Sequence, residues 1–252
     1  MEPSRHLDLL RFEGNRLAAM PVDALDAPVP TLPDWTVERV VRHVGRVHRW
    51  VVGALAVGPD EEAPAAEPLP KGPDCLPAYA ESLTAVIEVL RSTPPDAEAW
   101  TFVGPSPAAF WMRRQAHEVA VHRIDAADAV HAAGGPEPEP LDPDGAFDAV
   151  AEWAEVFLAT RFTQRFGDLP AGLHGRTVDL VATGSDVIRL GLQPSGTTVD
   201  HGPRPEDGPA DATVTGDPAD LLLVLWRRRP LDSVRITGDR PTVTELLDAA
   251  HF

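Results

Sequence analysis

Only one cysteine, one tyrosine and one lysine occur among the 252 residues. A single cysteine, Cys75, excludes an internal disulfide framework and a zinc site built from cysteines. Cys75 also has no evident base partner in the sequence, which argues against a catalytic thiol. Long apolar runs are missing too. The longest of note, Trp50 to Val57, is far too short to span a bilayer, and the opening "MEPSRHLDLL" lacks the apolar stretch of a signal peptide. The expectation is a cytoplasmic protein with no membrane partner. Positive charge is scarce: a formal net charge of −17 argues against a general affinity for nucleic acid or anionic membrane, because phosphate binding depends on clustered Lys and Arg. Lys71 stands alone beside 21 arginines, a bias attributable to a GC-rich genome. Small-molecule partners remain.

What is present is ordinary globular material. A hydrophobic content of 43% suffices for a buried core, and the length allows one domain or two. The first two-thirds read as helices. Residues 4–20 carry recurrent Leu7, Leu10, Phe12 and Leu17, and "DAPVPTLPDW" then breaks the pattern. A second helix opens near Asp34 or Thr36 and runs to about Val57, with Val37, Val40, Val44, Val47 and Val51 on one stripe. Residues 58–74, rich in Pro and acid, form a loop expected to have no core of its own. A third helix follows from about Leu76 to Arg91. Ser106 and Pro107 read as the N-cap and first-turn proline of a fourth helix ending at Gly134, Gly135 and Pro136. A further helix over about 143–165 is expected to pack Phe147, Val150, Trp153, Val156 and Phe157.

From about residue 175 the texture changes to short Val- and Thr-rich runs, "TVDLVAT", "VIRLGLQ", "TTVDHG" and "DATVTG", which read as strands. A short helix "ADLLLVLWRR", a strand "SVRITG" and a last helix 241–250 complete the chain. The fold class is α+β overall, a helical bundle over 1–168 followed by a small α+β domain over 175–252.

Within the fourth helix, "QAHEVAVHRIDAADA" contains a His-Glu-x-x-x-His run. At about 100° per residue, His117 and His122 stand roughly 140° apart and cannot share a ligand, whereas Glu118 and His122 are only about 40° apart. A metal here would take one carboxylate and one imidazole, with a third ligand from elsewhere. Inward-facing carboxylates and imidazoles build metal sites in helical bundles, although such a pair is often only a solvated couple. The second helix offers two candidates in "RHVGRVHRW". His43 and His48 are again five apart, both flank the valine stripe, and periodicity does not choose between them.

The stretch "LPDWTVERVVRHVGRVHRW" resembles the segment that opens the second helix in the mycothiol-dependent maleylpyruvate isomerase family, where a Pro-x-Trp-Thr start leads to a metal-binding histidine followed by an apolar and a small residue. "FWMRRQAHEVAVHRIDAADA" is similar to that family's second metal segment, and "DATVTGDPADLLLVLWRRRPLDSVRITGD" to its second domain. The resemblance implies a DinB-like four-helix bundle with a metal site, joined to a sterol-carrier-like α+β domain. It implies His43, Glu118 and His122 as ligands of zinc or a similar divalent metal. His48 and His117 are then structural or support the ligands from behind, and Asp125, one turn beyond His122, is positioned to orient its imidazole or to lie on the surface.

The implied activity is addition of a zinc-activated thiolate, from mycothiol or another low-molecular-weight thiol, to a small electrophile. Isomerisation of an unsaturated carboxylate is one form. A thiol S-transferase in detoxification or natural-product biosynthesis and a non-catalytic metal-dependent binding protein are alternatives with the same ligand set. Anionic substrates call for a cation, and Arg227, Arg228 and Arg229 at the end of the "DLLLVLW" helix are the candidates, with Arg228 favoured for catalysis. The same arginines could instead serve the helix dipole. A monomer or homodimer is expected.

Overall fold

The computed structural model describes residues 1–183, 187–203 and 208–250. Two compact units divide the chain, Met1–Pro140 and Leu141–Phe252.

The first unit is built on four helices: α1 (Pro3–Ala18), α2 (Val37–Ala54), α3 (Cys75–Ser92) and α4 (Ala109–Ala132). Each packs against two neighbours, α1 and α2 both lying against α3 and α4. The α2 start follows from local chemistry. The Thr36 hydroxyl accepts the Arg39 N–H at 3.3 Å, and Asp34 takes a left-handed φ of 65° in the turn before it. Valine is a middling helix former, so the α2 stripe needs tertiary burial: Val37, Val40, Val41, Val44 and Val51 are all fully buried, each worth about 1.5–3 kcal/mol. His48 sits in the same stripe.

The Ser106 and Pro107 signal has another use. They form strand β2, paired antiparallel with β1 (Glu98–Ala99), and α4 begins at Ala109 without a side-chain cap. The small residues of α4 let neighbours approach on most sides, so Arg114, Gln115, His117, His122, Arg123 and Asp125 are buried along with its apolar residues. One of them locks α4 to α1: Arg123 Nε donates to Glu13 Oε2 at 2.6 Å, and both side chains are buried.

Residues 58–74 are not a detached loop. They form a strap along α2, where Leu69 and Ala63 are buried. Arg42 Nε donates to the Leu69 carbonyl at 3.0 Å, Arg46 Nε to the Ala66 carbonyl at 3.0 Å, and Arg49 Nη1 to the carbonyls of Glu67 and Pro68 at 3.3 Å each. Gly45 permits this approach, since a Cβ there would lie 2.4 Å from Leu69 Cδ2. A loop without hydrophobic periodicity is thus fixed by arginines of a helix that precedes it.

The second unit opens with a helical segment made of α5 (Pro143–Glu152), a π-helical stretch (Trp153–Phe162) and α6 (Thr163–Phe166). The i to i+5 winding places Trp153 and Leu158, five apart, on the buried face, and leaves Val156 and Phe157 half-buried. The segment packs on α7 (Pro218–Leu225) and on strand β5 (Gly196–Gly202). The units therefore divide at Pro140 and Leu141, not at 168–175, because this helix finds its partners downstream. Strands β3 (Arg176–Ala182), β4 (Val187–Gln193), β5, β6 (Ala212–Gly216) and β7 (Arg235–Gly238) form a sheet in the order β5-β4-β3-β6-β7, with only β3 and β6 parallel. Asp179 and Arg189, directly opposed on β3 and β4, form a bidentate pair at 2.7 and 2.9 Å. Helices α7 and α8 (Arg240–Ala249) lie against β6. Among the described residues no helix is long and apolar enough to cross a membrane.

Candidate functional site

His43 from α2 and Glu118 and His122 from α4 come together in the first unit. Each offers one ligand atom, and these atoms lie within 4.8 Å of one another. His43 Nε2 is 3.1 Å from Glu118 Oε1, and His122 Nε2 is 3.4 Å from the same oxygen. Helix geometry explains the second contact, since residues four apart share a face. The choice between His43 and His48, open in the sequence, is made by the α2 rotation. The His43 side chain is 38% exposed and reaches Glu118, while His48 is fully buried beside Tyr79, ring centroids 5.3 Å apart. Burial pushes His48 down to about 3, against the opposing pull of Glu118, so it stays neutral. His117 faces elsewhere and meets His6 of α1 edge to face at 5.7 Å.

A supporting layer fixes the three side chains. His122 Nδ1 lies 2.9 Å from Asp125 Oδ2, and Asp125 is fully buried; it is no surface carboxylate. The contact leaves Nε2 as the ring atom turned toward Glu118 and His43. Arg114 Nη2 donates to Glu118 Oε2 at 3.0 Å, leaving Oε1 for the two imidazoles. Trp35 stacks on the His122 ring at 5.9 Å and meets His43 edge to face at 5.1 Å, and Arg39 lies over the indole at 4.9 Å. Burial opposes the charge on Glu118, yet His122, His43 and Arg114 hold its carboxyl well below the usual range. Burial also opposes charge on His122, but Glu118 and Asp125 prevail and hold the imidazole up to about 9. Two imidazole nitrogens and one ionised carboxylate oxygen at this spacing fit a divalent ion such as zinc.

A cavity of about 390 Å³ adjoins His43, walled by α2 and the strap, with Arg46 and Trp50 in its lining. Trp35, Arg114, Arg46 and Trp50 were not among the residues expected from sequence. Trp35 and Arg46 carried a readable signal, one in the Pro-x-Trp-Thr start and the other three residues after His43.

Cys75 is buried, and burial, with Glu38 adding to it, pushes its thiol up to about 11. The three arginines lie at the end of α7 in the second unit. Arg227 has a left-handed φ of 62° and pairs with Asp248. Arg228 N–H donates to the Leu223 carbonyl at 2.7 Å and its Nη1 to the Trp226 carbonyl at 2.7 Å, while Arg229 Nη1 donates to the Arg228 carbonyl at 3.0 Å. The Arg228 and Arg229 side chains thus bond carbonyls just beyond the end of α7, where a cation also meets the helix dipole favourably.

Residues 9–127 match the family model described as the mycothiol maleylpyruvate isomerase N-terminal domain, and residues 144–245 match the C-terminal domain model of the same family. The crystal structure of the mycothiol-dependent maleylpyruvate isomerase is similar over 96% of both chains, with a TM-score of 0.63 at 16% identity. A point variant of that enzyme gives a TM-score of 0.64 at 15% identity, again over 96% of each chain. At such identity the likeness concerns the fold. No curated protein matches the sequence. With both domain models matched in order along the chain, this protein belongs to the mycothiol-dependent maleylpyruvate isomerase family.

Proposed function

We propose that the protein is a metal- and thiol-dependent enzyme that isomerises a small unsaturated carboxylate with the help of mycothiol or a similar low-molecular-weight thiol. The observation that carries this reading is the convergence of His43, Glu118 and His122 within 4.8 Å, in a chain of this family. His43, Glu118 and His122 would hold a zinc ion. When bound, zinc with three protein ligands keeps an open position and lowers the pKa of a thiol that coordinates there, supplying a nucleophile at neutral pH.

The chain's own residues prepare for this. Asp125 holds the His122 ring in one orientation, and Arg114 engages one Glu118 oxygen so that the other faces the imidazoles. Trp35 stacks on the His122 ring and meets His43 edge to face, which helps hold both imidazoles in place. The buried, protonated Cys75 supplies no thiolate, which supports an external thiol. In the second unit Arg228 is the cation proposed to serve an anionic substrate.

The experiment is a mass balance on maleylpyruvate with and without mycothiol. Isomerisation with the thiol returned unchanged is expected. A lasting thioether would assign S-transfer instead, and no conversion with added thiol and zinc would refute the reading.

A further inference from the structure

Three arginines of α2 clip the strap, but they are not equivalent. Arg42, Arg46 and Arg49 each donate to its backbone carbonyls, yet only Arg46 lines the cavity beside His43. Arg46 spends Nε on the Ala66 carbonyl, and among the described residues no ion pair engages its Nη groups, Glu62 of the same lining included. Apart from His43 and the solvent-exposed Glu62, the rest of the wall is apolar, with Val47, Trp50 and Ala63. Trp50 cannot readily move aside: it meets Trp100 at 5.5 Å and Trp111 at 5.4 Å, both edge to face. A volume of about 390 Å³ with one unpaired guanidinium fork and a rigid aromatic wall suits a small ligand with an apolar body and an anionic group at the Arg46 end. Two parallel Nη donors match a carboxylate, while a phosphate dianion would call for more positive charge than this lining holds.

We infer that Arg46 is the carboxylate-recognising residue of this cavity, holding a small organic acid with its other end toward His43. The inference rests on the proposed function only in taking His43 as the reacting end. It also gives the strap a role. The Ala66 carbonyl fixes the guanidinium plane through Nε, so the Nη pair is pre-oriented and less rotamer freedom is lost on binding.

Calorimetric titration of the zinc-loaded protein with maleate tests this, with dimethyl maleate as the uncharged control. Arg46→Gln should weaken maleate by about 10-fold or more, as expected for a lost charge-assisted hydrogen-bonded pair. Arg49→Gln, which removes a strap contact outside the cavity, should change it less than about 2-fold, a shift within the ordinary effect of a surface substitution. Zinc content should be equal in all three. Unchanged maleate affinity in Arg46→Gln, equal losses in the two variants, or wild-type affinity for maleate no greater than for its dimethyl ester would each overturn the assignment. Maleate binding needs neither thiol nor turnover. A protein that binds maleate through Arg46 but fails to isomerise maleylpyruvate would contradict the proposed reaction and leave this assignment standing.

Discussion

His122 Nδ1 and Asp125 Oδ2 are 2.9 Å apart on the same helix, and the carboxylate is fully buried. A buried carboxylate on the remote nitrogen of an imidazole fixes the ring and raises the basicity of the nitrogen that faces a metal. Asp125→Asn keeps the shape and removes the charge. It should weaken zinc binding by about 10- to 100-fold, read by competition with a chromophoric chelator. Unchanged affinity would mean that Asp125 only fills the core.

Metal uptake should be coupled to protons. Without metal, His122 is held up to about 9, above its ordinary value, so at pH 7 the imidazole carries a proton that a metal must displace. Glu118, held low, is already ionised. Zinc binding at pH 7 should therefore release about one proton from His122, and apparent affinity should rise about tenfold per pH unit until His122 deprotonates. Calorimetry in buffers of different ionisation enthalpy counts the protons. Zero release would contradict the charge state described for the pair.

His48 makes an opposite prediction about acid. Its folded value of about 3 lies below the ordinary 6.5, so the unfolded chain takes a proton that the folded chain refuses. The stability tied to neutral His48 is fully present above pH 6.5 and declines as pH falls toward 3. By pH 5 the loss from this residue should be about 2 kcal/mol. His48→Leu should remove that part of the slope in denaturant unfolding between pH 6.5 and 5. Parallel pH profiles for the two proteins would show that His48 is reached by water.

Arg228→Ala should lower turnover by about 100-fold with zinc content unchanged, as expected when a positioning charge is lost. Full activity in Arg227→Ala, Arg228→Ala and Arg229→Ala alike would leave Arg228 and Arg229 only their carbonyl contacts at the helix end, and Arg227 only its pair with Asp248.

Much of the local structure was legible because it is written locally. The run "VIRLGLQ" is strand β4 residue for residue, and of the two starts offered for α2, Asp34 and Thr36, the cap is Thr36. The pairing of Glu118 with His122 follows from spacing alone. What required the fold was set by distant partners. His43 and His48 flank one stripe, and only the packing of α2 on α3 and α4 buries one and exposes the other. Ser106 and Pro107 carry a helix-start signal that pairing with Glu98 and Ala99 overrides. The helix from Pro143 reads like a bundle helix, but its apolar face belongs with α7. The strap has no periodicity to read, because carbonyl contacts from Arg42, Arg46 and Arg49 hold it.

The metal site is tested most directly by the zinc content of three purified proteins, wild type, His43→Ala and His48→Leu, measured after exposure to zinc and removal of the excess. About one zinc per chain is expected in the wild type and in His48→Leu, and almost none in His43→Ala, because of the two histidines only His43 reaches Glu118 and His122. Zinc retained by a folded His43→Ala and lost from His48→Leu would contradict this assignment.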